Sequence, residues 1–147
     1  MNNKITLKPI YFYLGLLFIW AIPFFYFQDF YRDDYTRLVT GYAGWENAGR
    51  PLATLLYHGL SLNAGWIYNL YPLPLFLSII IFAFTFNKLH FLIKQRYINL
   101  PNFIIIPCLL LIVCNPFYIQ NMAYQYDVLP MSLSFCLSIL AFTLCVD

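Results

Sequence analysis

Apolar runs long enough to cross a lipid bilayer constrain this chain more than any other feature. They occupy residues 10–27, 66–86, 100–114 and 128–146, and about 20 apolar residues in a helix span the hydrocarbon core. Only 10% of the residues are charged, whereas soluble domains carry roughly 25%. The sequence shows no short segments of alternating polarity, which are typical of membrane β-barrels. It therefore predicts an all-α membrane protein with about four transmembrane helices.

One long segment that contains polar residues separates the first two runs. Residues 28–65 hold four of the six acidic residues and three of the eight basic ones. Apolar and aromatic residues recur at helical spacing over residues 34–47, which predicts an amphipathic helix in the membrane interface. Asp33 or Asp34 is expected to cap this helix. Pro51 is well suited to be the first residue of a second short helix.

The distribution of lysine and arginine predicts the orientation of the chain. Basic residues without acids precede the first run and also fill residues 87–99, so we expect the N-terminus and this second loop in the cytoplasm. The first loop, residues 28–65, and the third loop, residues 115–127, then meet on the outer face. This prediction places Asp33, Asp34, Glu46 and Asp127 on the same face.

The adjacent aspartates are the first candidates for chemistry. Neighbouring carboxylates at an apolar interface repel each other, and desolvation raises the pKa of at least one of them. Such a carboxylate can act as a general base or hold a divalent cation. The alternative is that Asp33 and Asp34 form a helix cap with solvated charges.

Polar residues further along the two outer loops are candidates for binding. Arg50, near Glu46, can pair bidentately with a phosphate group, or it can extend toward lipid headgroups from an ordinary turn. Asp127 is an acid at membrane depth, where functional roles are frequent, but it can also cap the fourth helix. Tyr124 can pack against a sugar or belong to the aromatic belt of the membrane interface.

Other functional classes find little support. The four cysteines lie in or beside apolar runs without metal-site spacing, and His58 and His90 have no ligand-type neighbours at a suitable spacing. No phosphate-binding loop or nucleophile elbow occurs. A net charge of +2 does not indicate nucleic-acid binding. The interpretation includes neither a metal nor a cofactor.

Two stretches resemble one enzyme family. A first helix followed by RDDY at residues 32–35 and GYAGWENAGRPLATLLY at residues 41–57 is similar to the opening of the Gtr-type glucosyltransferases that modify bacterial O-antigen. NMAYQYDVLPM at residues 121–131 resembles that family's Asn-x-x-Tyr-x-x-Asp-x-x-x-Met stretch. The resemblance extends over essentially the whole chain.

The resemblance implies an integral membrane glucosyltransferase of the GT-C type in the bacterial inner membrane. It implies transfer of glucose from a polyprenyl-phosphate carrier to lipid-linked O-antigen at the periplasmic face. Asp33, Asp34 and Glu46 match acidic residues of the family's first outer loop and are the catalytic candidates. The substrate-binding candidates are Arg50, which matches the arginine of a Gly-Arg-Pro motif, Tyr124 and Asp127.

Members of that family are much longer chains with more membrane spans. The whole of residues 1–147 is therefore expected to be the N-terminal part of such an enzyme, and to be inactive alone. The rival hypothesis is a non-catalytic small polytopic membrane protein, such as a partner of a carrier-lipid flippase or a packing subunit. That hypothesis predicts replaceable acids and helix-packing positions that cannot be replaced.

Overall fold

Helices make up all the regular structure that can be described in this chain. A computed structural model describes residues 8–26, 30–63, 65–96 and 100–146, and within these ranges no strand occurs. The same ranges contain seven α-helices: α1 (Lys8–Tyr26), α2 (Arg32–Thr40), α3 (Pro51–Ser61), α4 (Leu73–Arg96), α5 (Asn102–Leu111), α6 (Pro116–Ala123) and α7 (Val128–Val146). The all-α prediction is confirmed.

Three of these helices, α1, α4 and α7, are each long and apolar enough to cross a membrane. Helices α5 and α6 pass the same test as a pair, but a bend of 63° separates them. The pair is thus either one broken span or a re-entrant segment. The described part of the chain contains three apolar spans, or four if the pair is counted, which confirms the prediction of about four.

Helix α4 is the centre of the bundle and packs against both α1 and α7. Within its span 44% of the residues are buried, compared with 17% for α1 and 28% for α7. Aromatic rings fill much of the interface, where Phe82 contacts Phe86, Tyr118 and Phe135. Small polar residues also allow close approach, since Ser78 Oγ lies 3.4 Å from the carbonyl oxygen of Val128.

The second predicted span is displaced along the chain. It was expected at residues 66–86 with a loop at 87–99, but α4 begins at Leu73 and continues to Arg96. Residues 87–96 contain neither proline nor glycine, and basic residues in a last turn interact favourably with the helix dipole. The basic residues for which a loop was predicted therefore belong to the C-terminal part of α4.

The first loop contains two helices, but the first one is shorter than expected. Helix α2 ends at Thr40 instead of continuing to residue 47, because Gly41 adopts the left-handed conformation with φ of 64°. A Cβ atom at Gly41 would lie 2.0 Å from the ring of Trp66, so only glycine fits there. Helix α3 begins at Pro51 as predicted.

Of the two remaining predicted spans, one has the bounds of an observed helix and the other does not. The fourth predicted span, residues 128–146, coincides with α7. The third span is expected at residues 100–114, but α5 ends at Leu111. Part of the predicted third loop is helix α6, whose start is capped by Asn115, because the Asn115 side chain accepts the N–H of Tyr118 at 2.9 Å.

Candidate functional site

Asp34 connects the first loop to the third loop. It lies in the first turn of α2 and is fully buried. One carboxylate oxygen accepts the backbone N–H of Gln125 at 2.9 Å, and the other accepts that of Tyr126 at 3.3 Å. Asp34 is therefore not the predicted helix cap, since Tyr31 occupies the cap position without a side-chain bond. Its carboxylate instead holds the turn that precedes α7.

Asp127 stands in that same turn and receives donors from the first loop. It is 3% exposed. One oxygen accepts Nε1–H of Trp45 at 2.6 Å and lies 3.3 Å from Nη1 of Arg50. The other oxygen lies 2.8 Å from Nη1 of Arg37. Three side chains of one loop thus converge on a single buried carboxylate, as charge-assisted hydrogen bonds favour.

Arg37 lies between the two buried acids. Its Nη1 atom is 2.8 Å from Asp127 and 3.8 Å from Asp34. Its guanidinium lies 4.5 Å from the ring centroid of Trp45, in cation–π contact. Together with Arg50, these residues form what we call the ion-pair cluster: Asp34, Arg37, Arg50 and Asp127. The cluster joins the two loops, as the predicted orientation requires.

Burial changes the acidity of Asp34. Desolvation raises the pKa of its carboxyl, and the negative charge of Asp127 raises it further. The N–H donors of Gln125 and Tyr126 and the positive charge of Arg37 act in the opposite direction, but the net effect is an increase. Asp34 consequently keeps its proton to a higher pH than an exposed aspartate.

An aromatic layer encloses the cluster on one side. The rings of Trp45 and Tyr57 lie 5.0 Å apart, and those of Tyr57 and Tyr126 lie 5.8 Å apart. Tyr57 donates its hydroxyl to the carbonyl oxygen of Gln125 at 3.2 Å. Burial raises the pKa of Tyr57, and it raises the pKa of Tyr126 to about 12. Because Trp45, Tyr57 and Tyr126 are all buried, the cluster borders a poorly solvated environment, in which ion pairs are stronger than in water.

The other candidate residues are more exposed than the two buried acids. Asp33 and Glu46 are exposed, and the side chain of Arg50 is 45% exposed although it contacts Asp127. Tyr124 is half-buried, and its ring stacks on that of Tyr31 at 4.4 Å. The structure therefore brings Asp34, Arg50 and Asp127 together, whereas Asp33 and Glu46 are exposed and lie outside the ion-pair cluster.

Two members of this arrangement, Arg37 and Trp45, were missed in the sequence. The one local signal for Arg37 is its position three residues after Asp34, on the same face of a helix. Trp45 stands in the GWEN stretch, but no sequence pattern reveals that its indole N–H reaches residue 127.

Metal binding and histidine chemistry find no support in the described ranges. No three His, Cys, Asp or Glu side chains in them lie close enough to hold one metal ion. Nδ1 of His58 lies 2.7 Å from the carbonyl oxygen of Asn63 at the end of α3. His90 is buried in α4, and its Nδ1 lies 2.8 Å from Tyr13 Oη.

Comparison with known proteins gives a consistent result. The family profile described as "Glucosyl transferase GtrII" matches residues 22–147. An uncharacterized 55.3 kDa protein in the gtrB 5' region of Salmonella phage P22 is 33% identical over 129 residues, which cover 88% of this chain and 26% of the relative. The chain thus spans about a quarter of the length of that relative. No solved structure matches the chain.

Proposed function

Because the chain belongs to the glucosyl transferase GtrII family, we propose that it forms the N-terminal part of a membrane glucosyltransferase. The donor is glucose on a polyprenyl-phosphate carrier, and the acceptor is lipid-linked O-antigen. The enzyme lies in the inner membrane with its N-terminus in the cytoplasm and the ion-pair cluster at the periplasmic face. This orientation is supported by the basic residues at the end of α4, which favour the cytoplasm.

The proposed reaction needs one base. An acceptor hydroxyl oxygen attacks C1 of glucose, the bond between C1 and the phosphate oxygen breaks, and polyprenyl phosphate leaves with the bonding electrons. The hydroxyl proton passes to a carboxylate. We assign this role to Asp33, because it is exposed beside the cluster, whereas both oxygens of Asp34 accept backbone N–H groups. Glu46, also exposed, is the second candidate.

Arg50 is proposed to bind the phosphate of the carrier. A guanidinium has five N–H donors in a planar fork that matches phosphate oxygens. Asp127 contacts one nitrogen of this fork, Nη1, at 3.3 Å, so we propose it as a positioning residue. Tyr124, fixed by its stacking on Tyr31, is proposed to support the sugar. Asp34 contributes by holding the third loop against the first, which keeps these groups at one place.

The proposal depends on the different exposure of two neighbouring carboxylates. Asp34 is fully buried and holds the backbone of the third loop, whereas Asp33 is exposed. A reactive carboxylate must reach its substrate and must also be fixed in place. The Asp33–Asp34 pair meets both requirements, because the buried member anchors the helix turn on which the exposed member stands.

The test is glucosylation of O-antigen in cells that carry a full-length version of the enzyme. Asp33→Asn should lower the rate by about 10²–10⁴-fold, the usual contribution of a general base, at unchanged protein level in the membrane. Asp33→Glu, which keeps a carboxylate, should retain part of the activity. Glu46→Gln tests the second candidate. Wild-type glucosylation in Asp33→Asn, in Glu46→Gln and in the double variant would exclude both residues as the base.

A second candidate function is a non-catalytic membrane protein that packs against other spans or assists a carrier-lipid flippase. The observation that favours it is the full engagement of Asp34 and Asp127 in contacts between loops. In that case Asp33 and Glu46 are replaceable without any phenotype, and substitutions at the α4–α7 contact, such as Ser78→Phe, abolish function.

A further inference from the structure

A cleft extends from Arg50 along the outer half of α7. It has a volume of about 460 Å³. Arg50 and Asn121 supply its cationic and polar side chains, and the other lining residues come from α6 and α7. They are Tyr118, Pro130, Met131, Ser134, Phe135 and Ser138.

The α7 residues of the cleft form one stripe on the helix. Pro130, Ser134 and Ser138 are spaced four residues apart, and Met131 and Phe135 follow the same rule one residue later. The stripe covers eight residue steps, or roughly 12 Å of helix at 1.5 Å per residue. Because α7 is an apolar membrane span, the cleft leads from the surface beside Arg50 into the hydrocarbon region.

Two of the hydroxyl groups in the lining are satisfied within the protein. Ser138 donates its hydroxyl to the carbonyl oxygen of Ser134 at 2.8 Å, and Tyr118 donates to Ser132 Oγ at 3.3 Å. The rings of Tyr118 and Phe135 lie 5.2 Å apart. The interior of the cleft thus presents mainly carbon atoms, with a cation at one end.

Arg50, the cation at one end of the cleft, contacts Asp127 and still has further N–H donors. The Arg50 guanidinium donates to Asp127 through Nη1 at 3.3 Å. Arg37 lies closer to Asp127, at 2.8 Å, so that carboxylate has a nearer counter-ion. Arg50 can therefore donate its remaining N–H groups to an anion at the membrane surface.

We infer that this cleft binds the isoprenoid chain of a polyprenyl phosphate, with the phosphate on Arg50 and the first isoprene units along the α7 stripe. The identification of the carrier rests on the proposed function. A largely apolar cleft with one cation at one end matches a lipid that has a single chain and a terminal phosphate. An ordinary phospholipid would have to place two acyl chains beside the same cation.

The experiment uses the purified chain of 147 residues in nanodiscs of neutral phosphatidylcholine. The probe is geranylgeranyl phosphate with a photoreactive diazirine on its isoprenoid chain, and cross-linked peptides are mapped by mass spectrometry. We expect cross-links on the cleft residues of α7, namely Met131, Ser134, Phe135 and Ser138, and on α6. Cross-links confined to the opposite face of α7 would overturn the inference, and this readout on the wild-type chain does not depend on any variant.

Variants then test each end of the cleft. Ser134→Trp fills the cleft and should lower cross-linking about tenfold. Leu137→Trp, at an exposed residue of α7 that does not line the cleft, should leave cross-linking unchanged. Arg50→Gln should lower cross-linking of the phosphate probe about tenfold, as expected when one charge-assisted contact is lost. The same variant should not affect a geranylgeraniol probe, which lacks the phosphate. Equal effects of the two tryptophan variants would contradict the inference.

Competition distinguishes the two possible lipids. Unlabelled geranylgeranyl phosphate should displace the probe, and phosphatidylglycerol at the same concentration should not. Equal displacement by both would assign the cleft to ordinary anionic phospholipid and overturn the inference. Because this assay involves no sugar transfer, its failure leaves the Asp33→Asn test intact, and normal glucosylation in Asp33→Asn would leave the binding result intact.

Discussion

The guanidinium of Arg37 lies 2.8 Å from the carboxylate of Asp127, although 90 positions of sequence separate the two residues. This contact joins the loop after the first span to the turn before the last one. The same arginine lies 3.8 Å from Asp34, whose carboxylate holds the backbone of that turn. Two independent connections therefore fix the relative position of the loops that carry all the candidate site residues.

Removal of Arg37 should destabilise the protein more than removal of Arg50. Arg37→Ala leaves two carboxylates, with side-chain exposures of 0% and 5%, without their nearest cation. Loss of one partner of a buried pair costs about 3–5 kcal/mol. Arg50→Ala is the matched control: its side chain is 45% exposed, so at most about 1 kcal/mol is expected. Thermal unfolding in detergent measures both, and equal losses would contradict the central position of Arg37.

The raised pKa of Asp34 predicts a pH dependence of stability. The folded state holds the Asp34 proton above the ordinary pKa of 3.8, so between 3.8 and the raised pKa it binds more protons than the unfolded state. The free energy of unfolding therefore decreases as pH rises through this window, and the contribution is constant above it. Unfolding of the wild type and of Asp34→Asn is measured against pH. The difference between them should show this decrease, and a difference that increases with pH would contradict it.

Glycine substitutions test the end of α2. Gly41→Ala places a methyl group 2.0 Å from Trp66 at a φ of 64°, so it should destabilise the protein by more than about 1 kcal/mol. Gly59→Ala is the control, because Gly59 lies within α3 with no atom within 4 Å of its added Cβ. This change should stabilise the protein by about 0.5–1 kcal/mol. A Gly41→Ala protein that unfolds at the wild-type temperature would show that α2 ends in another way.

Cysteine labelling tests the orientation. Glu46→Cys should react with a membrane-impermeant maleimide in intact spheroplasts, because Glu46 is exposed and is proposed to face the periplasm. Lys94→Cys, in the last turn of α4, should react only after the membrane is permeabilised. The unsubstituted chain, with its four native cysteines, is the background control. Labelling of both positions from the same side would contradict the proposed topology.

The apolar runs predicted the helical class because lipid forces backbone polar groups to pair within each segment. The same argument misplaced α4. The sequence pattern predicts a loop for Lys88, Lys94 and Arg96, but a helix can keep basic residues in its last turns and extend them to the membrane surface. Local composition could not distinguish these two cases. Gly41 was likewise overlooked as a helix end, because apolar spacing continues beyond it.

The candidate site was predicted in part for a similar reason. Counting of lysine and arginine brought Asp34 and Asp127 to one face, and the structure confirms that their loops meet. The different roles proposed for Asp33 and Asp34 depend on which carboxylate is buried. The sequence of two adjacent aspartates does not indicate which one that is. The pairing of Arg37 with Asp127 is a long-range contact, which a single sequence does not reveal.

The Asp34 carboxylate accepts hydrogen bonds from the backbone N–H groups of residues 125 and 126, and not from their side chains. An amide N–H is common to every amino acid except proline. These two hydrogen bonds therefore form with any residue except proline at positions 125 and 126, whereas no other side chain has the reach and charge of the aspartate.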